Sequence, residues 1–210
     1  MSASFIEVVE LPVIDGKISE GVEAWEKIIS GSGGDAVLYR HIEDKTLLEI
    51  RAYNSLDEIT KYSSEREMLW ENIKQFAAGD FRREIFSYIE EPKPTASSLP
   101  EAKYLQLRYV EVLPPKYDEY RVWRDKTIFE VVRKSDEIST FSAYHSLFSS
   151  IPGVLFLSSF DVDPDMYKRV FNSPRYMEIV QEAGDNYITG GNKGLATRMY
   201  ARVTKEGSGK

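Results

Sequence analysis

One order of predicted strands and helices occurs twice along this chain, and this repetition constrains the fold more than any other feature. In the first half, alternating residues 4–11 predict a strand, and Val22, Trp25 and Ile28 recur at helical spacing in the segment that follows. The first half is predicted to contain strands 4–11, 35–43, 46–53 and 83–90 and helices 19–30 and 55–77. Ser55 and Glu58 form a capping-box pattern at the start of the second helix.

The second half has the same series of predicted elements. It is predicted to contain strands 103–113, 139–148, 154–161 and 195–203 and helices 114–135 and 163–183, the last of them kinked or broken near Pro174. Each half therefore has the β-α-β-β-α-β order of a ferredoxin-like unit. The predicted fold class is α+β, with tandem ferredoxin-like β-α-β-β-α-β repeats.

Between the two halves lies a segment rich in proline and small polar residues, which predicts a linker. The predicted organisation is a first unit over 1–91, a linker over 92–102, a second unit over 103–205 and a disordered tail over 206–210. A four-stranded sheet with helices on one side leaves its other face bare, and packing sheet to sheet buries both bare faces. We therefore expect an α+β barrel with a lumen between the sheets.

Composition and charge exclude several classes of function. The formal net charge is -7 and Lys and Arg do not cluster, so we expect no nucleic-acid partner. The chain has no cysteine, and its two histidines, His41 and His145, have no metal-site spacing, so we predict no metal site. No signal-like segment or run of 18 apolar residues is present, which predicts a soluble, cytoplasmic protein without membrane contact.

Two segments of the second half resemble a known superfamily. These are "YLQLRYVEVLPPKYDEYRVW" (104–123) and "LFLSSFDVDPDMYKRVFNSPRYMEI" (155–179). They are similar to the dimeric α+β barrel superfamily, particularly its antibiotic biosynthesis monooxygenase-like and NIPSNAP-like domains, here fused in tandem. The resemblance implies cofactor-independent oxygenation, or cyclase-like proton transfer, on an aromatic or apolar substrate in the barrel lumen, as a step of secondary metabolism. The superfamily also includes haem proteins, so haem is a possible cofactor, although neither predicted second helix contains a histidine.

Strand alternation predicts which side chains face the lumen. In the first unit we expect Leu48, Ile50 and Ala52 to face the helices, because that face is the more uniformly apolar. The side chains predicted to face the lumen of this unit are Tyr39, His41, Glu49, Arg51 and Tyr53, a polar and aromatic set that suits a binding cavity.

In the second unit we expect Leu105, Leu107 and Tyr109 to face the helices, which leaves Arg108 facing the lumen. Arg108, Arg198 and Arg202 are then candidates for an anion-binding patch, although they lie on the first and last strands of the unit, which we expect not to be neighbours. Alternation does not decide whether His145 is lumenal.

The predicted catalytic residues are His145, His41 and Tyr39. His145, with His41 second, is the candidate base, because imidazole accepts protons near neutral pH. Tyr39, Arg51 or Arg108 would stabilise the resulting anion. The predicted substrate-binding residues are Glu49, Arg51, Tyr53, Arg108 and Arg198.

Two alternatives stay open at this point. In one, His145 or His41 ligates a haem iron, and in the other the chain is a non-catalytic small-molecule-binding or stress-associated module. The tandem chain already builds the barrel that single units form by dimerising, so either a monomer or a homodimer is compatible with it.

Overall fold

The computed structural model describes residues 2–204, apart from the side chains of Asn192 and Lys193. The predicted tail, 206–210, lies outside these residues. The first β-α-β-β-α-β unit consists of β1 (Phe5–Pro12), α1 (Ile18–Ser32), β2 (Ala36–His41), β3 (Thr46–Tyr53), α2 (Glu58–Lys61), α3 (Ser63–Ile73) and β4 (Arg82–Lys93). The second consists of β5 (Tyr104–Val110), α4 (Tyr117–Lys126), α5 (Ile128–Lys134), β6 (Thr140–Phe148), β7 (Val154–Phe160), α6 (Pro164–Phe171), α7 (Pro174–Asn186) and β8 (Leu195–Arg202).

The eight strands form one closed antiparallel barrel in the order β1-β3-β2-β8-β5-β7-β6-β4. Within each unit the strand order is that of a ferredoxin-like sheet, and the units are joined where β2 pairs with β8 and β4 pairs with β6. Closure leaves no strand edge unpaired, which removes the aggregation hazard of open edges. The predicted α+β barrel is confirmed, with the two sheets joined at their edges.

The inside of this barrel is a packed hydrophobic core, not the lumen that the sequence predicted. Leu48, Ile50, Leu105, Leu107 and Tyr109 are all fully buried within it, together with side chains from both units. The prediction that these five residues face the helices was therefore wrong, because the more uniformly apolar face of each sheet points inward.

Outside the barrel, each sheet packs against its own helices through a separate core. In the first unit the helix-side core surrounds Trp25 and includes Leu47, Leu69 and Ile73. In the second unit the corresponding core is larger and rich in aromatic rings; Phe160 and Tyr167, for example, stack with centroids 3.8 Å apart. Both faces of each sheet are thus buried.

Three predicted helices are interrupted in the structure. The predicted 55–77 helix is split between α2 and α3 at Tyr62, and the 114–135 helix is split at Thr127. The break predicted near Pro174 is confirmed: α6 ends at Phe171, and α7 begins at Pro174 after the Ser173 hydroxyl accepts from the Tyr176 backbone N–H.

The segment between the units covers the end of the barrel near the start of β1. Leu99 lies in the barrel core, and the Ser98 carbonyl accepts a hydrogen bond from the Ala3 N–H over 3.1 Å. Strand β4 continues to Lys93, into the predicted linker. Across residues 2–204, the helices are too short or too polar to cross a membrane.

Candidate functional site

The structure divides the predicted lumenal residues between two faces. Tyr39 lies in the barrel core, where burial raises the pKa of its hydroxyl, and this hydroxyl donates to the Pro100 carbonyl over 3.4 Å. Arg198 pairs across the sheet with Leu107, so it also points inward. Glu49, Arg51 and Tyr53 instead lie under the helices of the first unit.

Arg108 lies under the helices of the second unit, where it donates to the Tyr176 hydroxyl over 2.6 Å. The lumenal positions predicted for Arg108 and for the Glu49, Arg51 and Tyr53 group were therefore wrong. The predicted separation of the first and last strands of a unit was also wrong, because β5 pairs directly with β8. Arg108 and Arg198 lie at adjacent positions of these paired strands but point to opposite faces of the sheet.

The two histidines occupy different surroundings. His145 is exposed on the helix side of β6, where its ring meets Tyr117 edge to face at 5.6 Å. It therefore does not face the barrel interior. His41 is the last residue of β2, directly before the turn to β3, and its Nδ1 accepts from the backbone N–H groups of Glu43 and Asp44 over 3.2 and 2.8 Å.

His41 borders the barrel mouth, which we define by Glu10, His41, Arg82, Arg198 and Tyr200. Glu10 is buried and accepts hydrogen bonds from Arg198, Tyr200 and Arg82. The cavity at the barrel mouth has a volume of about 410 Å³. Its ion pairs close off one end of the apolar barrel core.

The barrel mouth does not suit haem. A porphyrin needs a largely apolar slot beside its axial ligand, whereas the cavity beside His41 is lined by the charged groups of Glu10, Asp44, Asp80, Arg82 and Arg198. His145, the other possible ligand, is exposed. The arrangement of the two histidines therefore disagrees with the haem alternative.

A buried charge cluster lies between the first sheet and its helices. Glu49 accepts from the Trp25 indole N–H over 2.6 Å and from Arg51 Nε over 2.9 Å. Arg51 also donates to Glu65 on α3, and its guanidinium lies over the Tyr62 ring at 4.6 Å. Strand β3 supplies Glu49 and Arg51 on one face, while the helices supply their partners.

A second group extends this cluster along the sheet. The Tyr53 hydroxyl donates to Glu7 over 2.6 Å, and Arg66 on α3 donates to the same carboxylate over 3.1 Å. Burial raises the pKa of Tyr53, and the negative charge of Glu7 adds to this effect. Tyr53 is therefore a neutral hydrogen-bond donor at physiological pH.

Above the charge cluster, a groove of about 980 Å³ opens between α1 and α3. Glu65 lies on its floor. Ala24, Ile28, Met68 and Phe76 give it an apolar wall, and polar and charged side chains of α1 and α3 form its rim. Glu65 and Tyr62 also line the small space of about 20 Å³ above Arg51 and Glu49. The groove therefore leads from solvent to the buried charge cluster.

Gly34 allows this cluster to form. A Cβ atom at residue 34 would lie 2.5 Å from the Tyr62 hydroxyl oxygen and 3.1 Å from an Arg51 guanidinium nitrogen. The first distance is too short for a non-bonded contact, so a larger residue would displace the Tyr62 ring from the end of the groove.

Burial raises the pKa of the Glu65 carboxyl above its ordinary value. The Arg51 guanidinium opposes this shift, and the negative charge of Glu49 reinforces it. A carboxylate with a raised pKa at the floor of a groove is a better proton acceptor than an exposed one. Together, Glu65 and Arg51 can accept a proton and stabilise an anion.

Glu65 was not among the residues predicted for the site, because it lies on a helix and the candidates all lie on strands. A signal for it exists: Glu65, Leu69 and Ile73 recur at helical spacing, so Glu65 occupies a position on the buried face of α3. A charged residue on such a face needs a partner, which Arg51 provides. Within residues 2–204, no cluster of three or more metal-binding side chains is present.

Comparison with known proteins finds similar structures but no similar sequences. No family model matches the chain, and no curated protein matches it significantly. A candidate monooxygenase from Fusobacterium nucleatum is 15% identical with a TM-score of 0.68, over 97% of this chain and 94% of that one. A candidate monooxygenase from Lactobacillus acidophilus is 14% identical with a TM-score of 0.65, over 95% and 94%.

An anthrone oxidase-like protein is 11% identical with a TM-score of 0.68, over 96% of this chain and 92% of that one. Structures named as chlorite dismutases match at similar levels, such as one at 13% identity with a TM-score of 0.62, over 97% and 96%. These matches define the class of this protein as an α+β barrel with a ferredoxin-like strand order in each half. At such low identity they show the fold alone.

Proposed function

We propose that the chain is a small-molecule enzyme of the monooxygenase type, which acts on an aromatic or otherwise apolar substrate in the groove between α1 and α3. The observation that carries this proposal is the position of Glu65, between the apolar wall of the open groove and the buried Arg51 guanidinium. The likeness to structures named as monooxygenases and as anthrone oxidase-like supports the same class of reaction.

In this mechanism Glu65 is the general base. Its carboxylate lines the groove, and a raised pKa brings it closer to that of an acidic phenol or activated C–H group. The apolar wall that contains Ile28, Met68 and Phe76 holds the body of the substrate.

Arg51 stabilises the substrate anion that forms. Glu49 holds the guanidinium from the opposite side, which fixes its position before substrate binds. Because this cation is already in place, no free energy is spent on reorienting it during the reaction, and its effect is greatest where water is excluded. The Tyr62 ring over this guanidinium shields it from solvent.

The reaction balances with dioxygen as co-substrate. Glu65 removes a proton from a substrate CH₂ group, and the carbanion gives its electron pair to O₂ as a C–O bond forms. Glu65 returns the proton to the peroxide, which then loses water and leaves a ketone. One oxygen atom enters the product, and the other leaves as water.

The test is oxygen uptake with tricyclic phenol or anthrone-type substrates, in the wild type and in Glu65→Gln. Loss of a general base lowers turnover by about a hundredfold or more, so Glu65→Gln is expected to lose most of the uptake. Glu67→Gln is the matched control, because Glu67 is exposed on the same helix and outside the groove.

Equal uptake by Glu65→Gln and the wild type would refute the assignment of the base. Product formation without oxygen uptake would indicate the cyclase-like proton transfer instead. Substrate binding without any turnover would indicate a non-catalytic binding module.

A further inference from the structure

A second pocket lies on the helix side of β5 and β8, where the second unit meets residues 41–43 of the first. It has a volume of about 360 Å³, and α6 covers one side of it. Its polar lining includes Gln106, Arg108, Lys168, Asn172 and Thr197. The groove proposed as the active site shares no residue with it.

Three cationic side chains, Arg108, Lys168 and Arg198, and one carboxylate, Glu43, line this pocket. Arg198 at its edge is paired with Glu10, so its charge is neutralised from inside the barrel. Lys168 lies 3.9 Å from Glu43 and 3.7 Å from Asp165, and both carboxylates are mostly exposed. These long, solvent-screened contacts leave the ammonium group available to a ligand.

Arg108 is the unusual member of this pocket. Among the residues described, no carboxylate lies within ion-pair distance of its guanidinium, which donates only to the neutral Tyr176 hydroxyl. Its Nε atom is buried and has no hydrogen-bond partner, and the guanidinium lies over the Phe171 ring at 4.7 Å. Arg108 is partly buried, so its guanidinium has lost part of its hydration without gaining an anionic partner among the described residues.

We propose that this pocket binds the carboxylate or phosphate group of a small organic molecule. The planar guanidinium of Arg108 suits two-point recognition of either oxyanion, and Lys168 adds a second positive charge. The amides of Gln106 and Asn172 and the hydroxyl of Thr197 supply neutral donors around them. Phe171 forms an apolar wall for the rest of the ligand.

The experiment is calorimetric titration with benzoate and with inorganic phosphate, each at low and high salt. At least one probe is expected to bind saturably, more weakly at high salt because the contact is ionic. Arg108→Gln is expected to lower the affinity about tenfold or more, since loss of a charge-assisted hydrogen bond costs at least that much.

Two further variants make the result decisive. Lys168→Gln is expected to weaken binding several-fold and leaves the core untouched, so it answers the question even where Arg108→Gln fails to fold. Arg169→Gln removes the same charge from the same helix but lies outside the pocket, so it is expected to bind like the wild type.

The probe that binds more tightly shows whether the pocket takes a carboxylate or a phosphate. Absence of saturable binding, or equal weakening by Arg169→Gln and Lys168→Gln, would overturn the proposal. These outcomes are independent of oxygen uptake at the groove, because they measure binding of simple anions in the second unit.

Discussion

Replacing Arg51 with glutamine tests the buried charge cluster directly. Arg51 is 3% exposed, and it is the cation that separates the carboxylates of Glu49 and Glu65. In Arg51→Gln both carboxylates lose their ion pair while still buried. Loss of one partner from a buried ion pair costs about 3–5 kcal/mol, so we expect the free energy of unfolding to fall by about that amount.

Urea unfolding, followed by far-UV circular dichroism and by tryptophan fluorescence, measures this change. For a chain of this length each kcal/mol lowers the Tm by about 2–4 °C, so the expected decrease is about 6–20 °C. Arg133→Gln is the control, because it breaks an ion pair with Asp125 in which both side chains are about half exposed. It is expected to stay within about 1 kcal/mol of the wild type.

The pH dependence separates lost charge compensation from lost packing. Burial raises the pKa of the Glu65 carboxyl and the Arg51 guanidinium opposes that shift, so in Arg51→Gln the folded-state pKa of Glu65 rises further above its unfolded value. Such groups stabilise the fold below their unfolded pKa, and this contribution is lost as the pH rises through the folded value. The difference in stability between wild type and Arg51→Gln should therefore shrink from pH 7 towards pH about 4.5. A deficit that is constant with pH, or equal to that of Arg133→Gln, would refute the reasoning.

Three further predictions concern other parts of the molecule. Leu107→Ala in the barrel core is expected to cost about 2–5 kcal/mol by urea unfolding. Val122→Ala, at a position that is 59% exposed, should change stability by about 0.5 kcal/mol or less. The folded-state pKa of Glu65 is raised above its ordinary 4.5, so its stabilising contribution is present below that pH and is lost as the pH rises through the folded pKa. In unfolding titrations, Glu65→Gln should therefore gain stability relative to the wild type as the pH rises. Added hemin is expected to show no Soret band that disappears in His41→Ala or His145→Ala, and a band that does so would restore the haem alternative.

The order of elements could be read from the sequence because it depends on local periodicity. Residues close together in the chain determine the two β-α-β-β-α-β series. The same is true of the break before Pro174 and of the proline-rich segment between the halves. Closed α+β barrel architecture then follows from the need to cover the bare face of each sheet. These predictions required no knowledge of contacts between distant residues.

The faces of the strands could not be assigned in the same way. In β3, Leu48 and Ile50 alternate with Glu49 and Arg51, and both sets are buried. Burial of charge on the helix side is possible only because α1 and α3 bring Trp25 and Glu65 to it. Those partners are distant in sequence, so an assumption that charged residues face a lumen selected the wrong side.

The location of the candidate sites was decided by the same tertiary contacts. Alternation showed that His41 and Tyr39 share a face, but packing determined that Tyr39 lies in a filled core and His41 at a charged barrel mouth. The sequence alone determined the repeated units, because strand and helix periodicity is local. Only the tertiary structure decided which polar residues meet, because the free energy of a buried charge depends on partners that the fold brings together.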